Sequence, residues 1–215
     1  KPAEILLDND DINSKFFFVW ANESWGRKAV NGKKNNRWTN LYDINGGDDV
    51  FVEQKYDGEV QYRNHYEYIA KFINDSRYIR IDGRPVFAIY NTSNMVAIDE
   101  MMSLWTEWSK EEGKEGFYFI GINCWMSENN FDAVMFQTPN AAYKIGVKTI
   151  EFRNGVMIKS YRDIMENLLT VDAKGDTYFG TFVGFDNSPR YGNTHSLVIQ
   201  KDNMDFEYYL RKVIK

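Results

Sequence analysis

The chain has 215 residues, 43% hydrophobic and 27% charged, a composition typical of a soluble globular protein with a sizeable core. Its net charge of −5 argues against a nucleic-acid partner, and a single cysteine, Cys124, excludes an internal disulfide framework. No apolar run approaches the roughly 20 residues that a transmembrane helix needs, so we expect no membrane span. Aromatic residues make up 16% of the chain, which suits either a large core or a carbohydrate site.

Short apolar runs that predict buried strands alternate with amphipathic patterns that predict helices. In chain order the predicted elements are a strand at 16–21, a helix at 58–74, a strand at 85–90, a helix at 95–112, strands at 117–123 and 133–137, a weaker strand at 148–152, a helix at 160–170, a strand at 178–185 and a helix at 205–214. Asp82-Gly83 predicts a turn before the second strand, and the Gly- and Asn-rich stretch 31–49 predicts a long loop. The alternation predicts an α/β fold with a parallel sheet, and the lack of a linker predicts one domain over 1–215.

The predicted strands tend to end in polar groups. These groups are Asn22 and Glu23, Tyr90 and Asn91, Asn123, Gln137, and Asp186 with Asn187. In parallel α/β proteins, ligands bind at the carboxyl ends of the strands, so the pattern predicts a binding site there. The alternative is that strand ends are polar because they border solvent.

Glu23 is the sharpest single candidate, because Trp20, Trp25 and Arg27 surround it in the sequence. A carboxylate in that setting can orient a sugar hydroxyl or act as an acid or base. A Glu23–Arg27 salt bridge that only fixes the loop is the alternative. A second carboxylate and guanidinium occur at Asp186 and Arg190, where a proline turn with an Asx hydrogen bond is the competing interpretation.

Metal and cofactor signals are weak. His65 falls in a helical pattern and His195 in a polar loop, with no second His or Cys at ligand spacing, so we expect no zinc site and no cofactor. The rival hypothesis is a metal-dependent sugar-nucleotide glycosyltransferase, in which Asp8 and Asp10 hold a divalent ion after an apolar run. The alternative for this stretch is a helix that ends at Leu7 and is followed by solvent-exposed acidic residues at 8–11.

Four segments occur together in one order: WANESW at 20–25, FVEQKY at 51–56, YIRIDGRPVF at 78–87 and GFDNSPR at 184–190. Together they resemble the WbsX family, the glycoside hydrolase family 99-like proteins of bacterial surface-polysaccharide clusters. The resemblance covers nearly all of the chain. It implies a (β/α)8 TIM barrel, an α-linked, mannose-like glycan as partner and no metal, although some members carry the label glycosyltransferase.

The resemblance also implies roles for particular residues. Glu23 resembles a strand-end carboxylate that contacts substrate, and Asp186, Asn187 and Arg190 fall in a late strand–loop element. With the strand-end pattern, the expected substrate-binding set is Trp20, Asn22, Glu23, Trp25, Arg27, Lys55, Tyr90, Asn123, Asp186, Asn187 and Arg190.

The sequence departs from the family pattern in three places. GRKAVNG follows Trp25 where a basic pair and W-D-G are usual, AVMFQTPN lacks an acidic residue, and the catalytic N-E-W-x-E-G element is absent. The sequence predicts five or six of the eight strands, so we expect an incomplete barrel that is the central part of a longer protein. We expect this 215-residue chain to bind glycan without cleaving it. A non-catalytic glycan-binding module is the alternative. We expect a cytoplasmic location, with a periplasmic or surface-associated one as the alternative.

Overall fold

The computed structural model describes residues 2–30, 33–36, 42–43, 50–124, 130–138, 151–171, 175–188, 196–200 and 205–214. Its helices are α1 (Pro2–Leu7), α2 (Glu59–Ile73), α3 (Met95–Glu111), α4 (Tyr161–Leu169) and α5 (Asp205–Val213). Its strands are β1 (Phe18–Trp20), β2 (Trp25–Val30), β3 (Lys33–Asn36), β4 (Tyr42–Asp43), β5 (Val50–Val52), β6 (Arg80–Ile81), β7 (Arg84–Ile89), β8 (Tyr118–Ile122), β9 (Ala133–Phe136), β10 (Glu151–Arg153), β11 (Val156–Ser160), β12 (Thr177–Phe179), β13 (Phe185–Asp186) and β14 (Ser196–Gln200). None of these helices has the length and apolarity that crossing a bilayer requires.

The chain forms two compact units. The first unit comprises Lys1–Asn22 and Lys55–Val134, and the second comprises Glu23–Gln54 and Met135–Lys215. Each unit has a hydrophobic core of its own.

A parallel sheet organises the first unit. Its strands lie in the order β1, β7, β8, β9, with β1 parallel to β7 and β7 parallel to β8. The order follows the chain, as in a (β/α)8 barrel, and does not reverse as in a doubly wound sheet. The predicted α/β class with a parallel sheet is confirmed, and the arrangement is that of an incomplete barrel.

Aromatic rings fill the space between this sheet and its helices. Trp105 of α3 is fully buried, with its ring centre 4.9 Å from that of Phe87 and 5.2 Å from that of Phe117. Its indole N–H donates to the carbonyl of Tyr62 in α2 over 3.0 Å. The apolar faces predicted for α2 and α3 therefore pack into the core of this unit.

A tight turn at Asp82-Gly83 joins β6 to β7, as the sequence predicts. Both residues have positive φ, 48° at Asp82 and 77° at Gly83, which suits the two central positions of a type I′ hairpin turn. The turn makes β6 and β7 antiparallel, with Ile81 opposite Arg84.

The second unit contains a sheet in the order β10, β11, β14, β13 and a hairpin sheet in the order β4, β3, β2, β5. In the first of these sheets β11 and β14 are parallel, and the edge strands are antiparallel to them. Helices α4 and α5 begin and end within two residues of the predicted bounds. Ser160 caps α4 by accepting a hydrogen bond from the Asp163 amide over 3.1 Å.

Two predictions are wrong in the second unit. The predicted loop 31–49 contains β3 and β4 wherever it is described, because β3 pairs with β2 and β4 pairs with β3 through backbone hydrogen bonds that hydrophobic patterns do not show. The predicted strand 178–185 splits into β12 and β13, which belong to different sheets. The break follows Gly180, whose amide donates to the carbonyl of Phe136 over 3.0 Å; a Cβ there would lie only 2.8 Å from the same oxygen.

Candidate carbohydrate site

The carboxyl ends of three parallel strands align in the first unit. Trp20 of β1 pairs with Ile89 of β7, and Ile89 pairs with Gly121 of β8. Two residues beyond this row each strand is followed by an asparagine. We call the group Asn22, Tyr90, Asn91 and Asn123 the carboxyl edge.

Asn22 ties the first two strands together at this edge. Its Nδ2 donates to the carbonyl of Asn91 over 2.7 Å and to the hydroxyl of Tyr56 over 2.8 Å, and its Oδ1 accepts from the Asn91 amide over 2.7 Å. The side chain is only 2% exposed. Because both amide hydrogens are used within the chain, Asn22 extends the β1–β7 ladder by one more rung.

Tyr56 completes this cluster from the chain segment before α2. Burial raises the pKa of its phenol, and the hydrogen bond from Asn22 only partly offsets that effect. The hydroxyl therefore stays neutral near pH 7, with a proton still available to donate.

Trp20 lies on the helix side of the sheet. Its ring centre is 5.8 Å from that of Tyr56 and 5.0 Å from the imidazole of His65 in α2. The His65 ring is also 5.0 Å from Trp105, and burial lowers the pKa of His65 to about 4. In the structure Trp20 thus packs β1 onto α2 against a neutral imidazole.

The other first-unit candidates are more accessible. Tyr90 and Asn123 are half-buried at the carboxyl edge, and Lys55 is exposed. The Tyr90 amide donates to the carbonyl of Trp20 over 3.0 Å, which fixes its backbone. Asn123 has a φ of 57°, a left-handed conformation that Asn adopts more readily than most residues.

Glu23 belongs to the second unit, although it directly follows Asn22. Its side chain is half-buried, and the next residue, Ser24, accepts a hydrogen bond from the Gln54 amide over 2.9 Å. Trp25 and Arg27 lie in β2, not in the expected loop, and their side chains are outside the described part of the chain. The Glu23–Arg27 salt bridge consequently remains a prediction.

Asp186 and Asn187 close β13. The Oδ1 atom of Asp186 accepts from the Ser188 amide over 2.8 Å, which is the Asx turn given above as the alternative, while the side chain remains exposed. The Oδ1 atom of Asn187 accepts from the Leu197 amide over 2.6 Å and so holds β13 to β14. Arg190 lies outside the described residues.

The acidic segment after α1 is held through its backbone carbonyls, while the carboxylates of Asp8 and Asp10 are exposed. Arg77 donates to the carbonyls of Leu6, Asn9 and Ile12. In the part of the chain that the structure describes, no group of three or more His, Cys, Asp or Glu side chains could hold a metal ion.

The model of the family described as Glycosyltransferase WbsX matches residues 1–215, the full length of the chain. The chain belongs to the WbsX family. The resemblance drawn from the four sequence segments is thereby confirmed, and the family places this WbsX chain among carbohydrate-active proteins.

A solved structure titled "Glycoside hydrolase-like protein" is similar to the WbsX chain at 14% identity and a TM-score of 0.43. The similarity covers 72% of this chain and 46% of that structure, so the chain spans less than half of its length. No curated protein matches the WbsX chain.

Sequence reasoning did not select Tyr56 and Asn91 as site residues in this WbsX chain. Two signals could have found them. Tyr56 ends the family-like FVEQKY segment, and Asn91 follows Tyr90 at a polar strand end. Only the fold shows that they meet Asn22, from 34 and 69 positions away along the chain.

Proposed function

We propose that this WbsX chain binds an α-linked, mannose-like glycan at its carboxyl edge, and that the full-length protein processes such a glycan. The observation that carries the proposal is the row of asparagines beside Tyr90 at the ends of three aligned parallel strands. Family membership over the whole chain supports the choice of carbohydrate as ligand.

The chemistry of the edge suits sugar hydroxyls. A carboxamide such as that of Asn123 has a donor and an acceptor side by side, a chemistry that suits sugar hydroxyls, and Tyr90 adds a ring and a hydroxyl. Lys55 would supply a further donor. We assign Asn22 and Trp20 a positioning role, because the Asn22 amide hydrogens are bonded within the chain and Trp20 packs on α2.

Glu23 follows the positioned Asn22 directly, and we propose that it contacts a glycan hydroxyl. Trp25, Arg27, Asp186, Asn187 and Arg190 belong to the same proposal through the family resemblance. The exposure of Asp186 is compatible with that role. No cofactor is needed for this binding.

Glycan binding without cleavage is the expected behaviour of the 215-residue chain. The N-E-W-x-E-G element with its two glutamates does not occur in these residues. Incubation with α-linked mannotriose, followed by chromatography of the products, is expected to return intact sugar. Turnover at an enzyme-like rate would show that other carboxylates, Glu23 and Asp186 foremost, perform catalysis.

Isothermal titration calorimetry with α-linked mannotriose tests the binding site. We expect Tyr90→Ala to weaken binding at least tenfold, which corresponds to about 1.4 kcal/mol. Tyr208→Ala, which truncates an exposed tyrosine of α5, is the matched control and should leave the affinity unchanged. Equal loss in both variants, or no heat with the unaltered chain, would contradict the proposed site.

Glycosyl transfer is the second candidate, and the printed description of the family favours it. Manganese-dependent turnover of a sugar nucleotide that Asp10→Ala abolishes would support the metal-dependent form of this hypothesis. Glycosyl transfer that needs no metal would instead show that Asp8 and Asp10 do not act as metal ligands in the reaction. A non-catalytic glycan-binding module would show binding and no turnover in the full-length protein as well.

A further inference from the structure

A groove of about 970 Å³ lies beside α3, at the opposite end of the first-unit sheet from the carboxyl edge. Arg84, Phe117 and Asp132 line it, and these residues stand at or just before the amino-terminal ends of β7, β8 and β9.

One face of α3 forms the long wall of the groove. Asp99, Ser103, Thr106 and Lys110 are spaced by three or four residues, so they lie in one row on the helix. The row is about 16 Å long at the rise of an α-helix, enough for a short oligosaccharide. Met102, Phe117 and Phe119 contribute a buried apolar floor.

Asp99 gives the strongest sign that this wall accepts a ligand. Its Oδ1 atom is buried and has no hydrogen-bond partner among the residues that the structure describes. Buried polar atoms in native proteins are nearly always bonded to protein, water or ligand. A carboxylate oxygen accepts only, so a hydroxyl group, of water or of a ligand, is the kind of partner that suits it.

The arginine on the opposite rim is paired, so this rim offers little free positive charge. Arg84 donates to the Asp132 carboxylate over 2.7 Å and to the carbonyl of Phe117 over 3.2 Å. The remaining charged lining is Asp99, Glu107, Glu111 and Glu115 against Lys110. A net negative lining disfavours phosphates and uronic acids, whereas the mixture of acceptors with Ser103, Lys110 and Asn130 suits neutral hydroxyl groups.

We propose that this groove, which we call the α3 groove, is a second carbohydrate-binding site that takes a neutral oligosaccharide. The inference rests on the proposed function, since it assumes that the chain handles glycans. It differs in location, because the α3 groove and the carboxyl edge lie at opposite ends of the same sheet. A chain with both sites holds a glycan at two separate points.

Amide chemical shifts of the 215-residue chain, titrated with α-linked mannotriose, test the proposal. We expect saturable shifts at residues 99–110 and 117–119 that persist in Tyr90→Ala. Asp99→Ala should weaken this binding at least tenfold, and Ser103→Trp, which fills the groove, should abolish it. Asp163→Ala, an exposed acidic residue in the first turn of α4, is the control and should change nothing. Thermal melts confirm that each variant is folded.

The outcomes separate this inference from the proposed function. Shifts at the carboxyl edge alone would overturn the α3 groove and leave the proposed function standing. An absence of shifts at both places would overturn both. Binding of spermine or trigalacturonate to the α3 groove, without mannotriose, would overturn the assignment to a neutral glycan.

Discussion

Replacing Asn22 with alanine removes two hydrogen bonds that join the ends of β1 and β7 and a third that reaches the Tyr56 hydroxyl. The side chain is 2% exposed, and its bonds to Tyr56 and Asn91 measure 2.7–2.8 Å, so no water replaces them easily. At about 1 kcal/mol for each net hydrogen bond, the expected loss of unfolding free energy is about 3 kcal/mol. For a chain of this size that corresponds to a fall in Tm of roughly 6–12 °C.

Urea denaturation followed by tryptophan fluorescence measures this loss, because Trp20 lies within the affected cluster. Asn64→Ala is the matched control, since Asn64 is exposed on α2, and it should change the unfolding free energy by less than about 0.5 kcal/mol. A loss below about 1 kcal/mol for Asn22→Ala would refute the idea that this amide extends the sheet. Asn22→Asp keeps an acceptor but loses both donors, so at pH 7 it should be no more stable than Asn22→Ala.

Three further predictions test the packing beneath the site. Because burial lowers the pKa of His65 to about 4, the folded state binds fewer protons than the unfolded state between about pH 6.5 and 4. The free energy of unfolding should therefore fall by up to about 3 kcal/mol as the pH drops through this range. His65→Phe should flatten the plot of urea midpoint against pH. A plot that the substitution leaves unchanged would show that His65 is solvated. Gly121→Ala places a Cβ 2.3 Å from the Phe131 ring, so calorimetry should show a loss of about 1–3 kcal/mol, and a neutral result would contradict that packing. Arg77→Lys should raise amide hydrogen-exchange rates in residues 2–12 about tenfold, since lysine cannot reach three carbonyls and Asp75 together; unchanged exchange would mean that Arg77 does not hold this segment.

The helices and the central strands were predictable because local patterns determine them. The spacing of Trp105 and Trp108 with Met101 predicts the buried face of α3, and runs such as PVFAIY place β7 within one residue. The turn at Asp82-Gly83 follows from the residue types that tolerate positive φ.

The strands of the second unit were not predictable in the same way. Segments such as Lys33–Asn36 are polar throughout, and their pairing partners provide the only reason for an extended conformation. The break after Gly180 depends on the close approach of the Phe136 carbonyl, which no local pattern records.

The alignment of the polar strand ends was predictable, but the contacts that their side chains make were not. Strand-end polarity located Asn22, Tyr90 and Asn123, and the fold aligns the ends of their strands. The sequence did not show that Asn22 bonds to a backbone 69 residues away, or that Trp20 faces α2. Both facts depend on which side of the sheet the helices cover, and long-range packing decides that.

The most direct test of the account is the glycan affinity of the carboxyl edge. Titration of the isotopically labelled chain with α-linked mannotriose should produce saturable amide shifts at Tyr90, Asn91 and Asn123, and Tyr90→Ala should weaken them at least tenfold. Unchanged amides at these three residues, in a chain shown to be folded, would contradict the claim that this WbsX chain binds glycan at the carboxyl ends of its parallel strands.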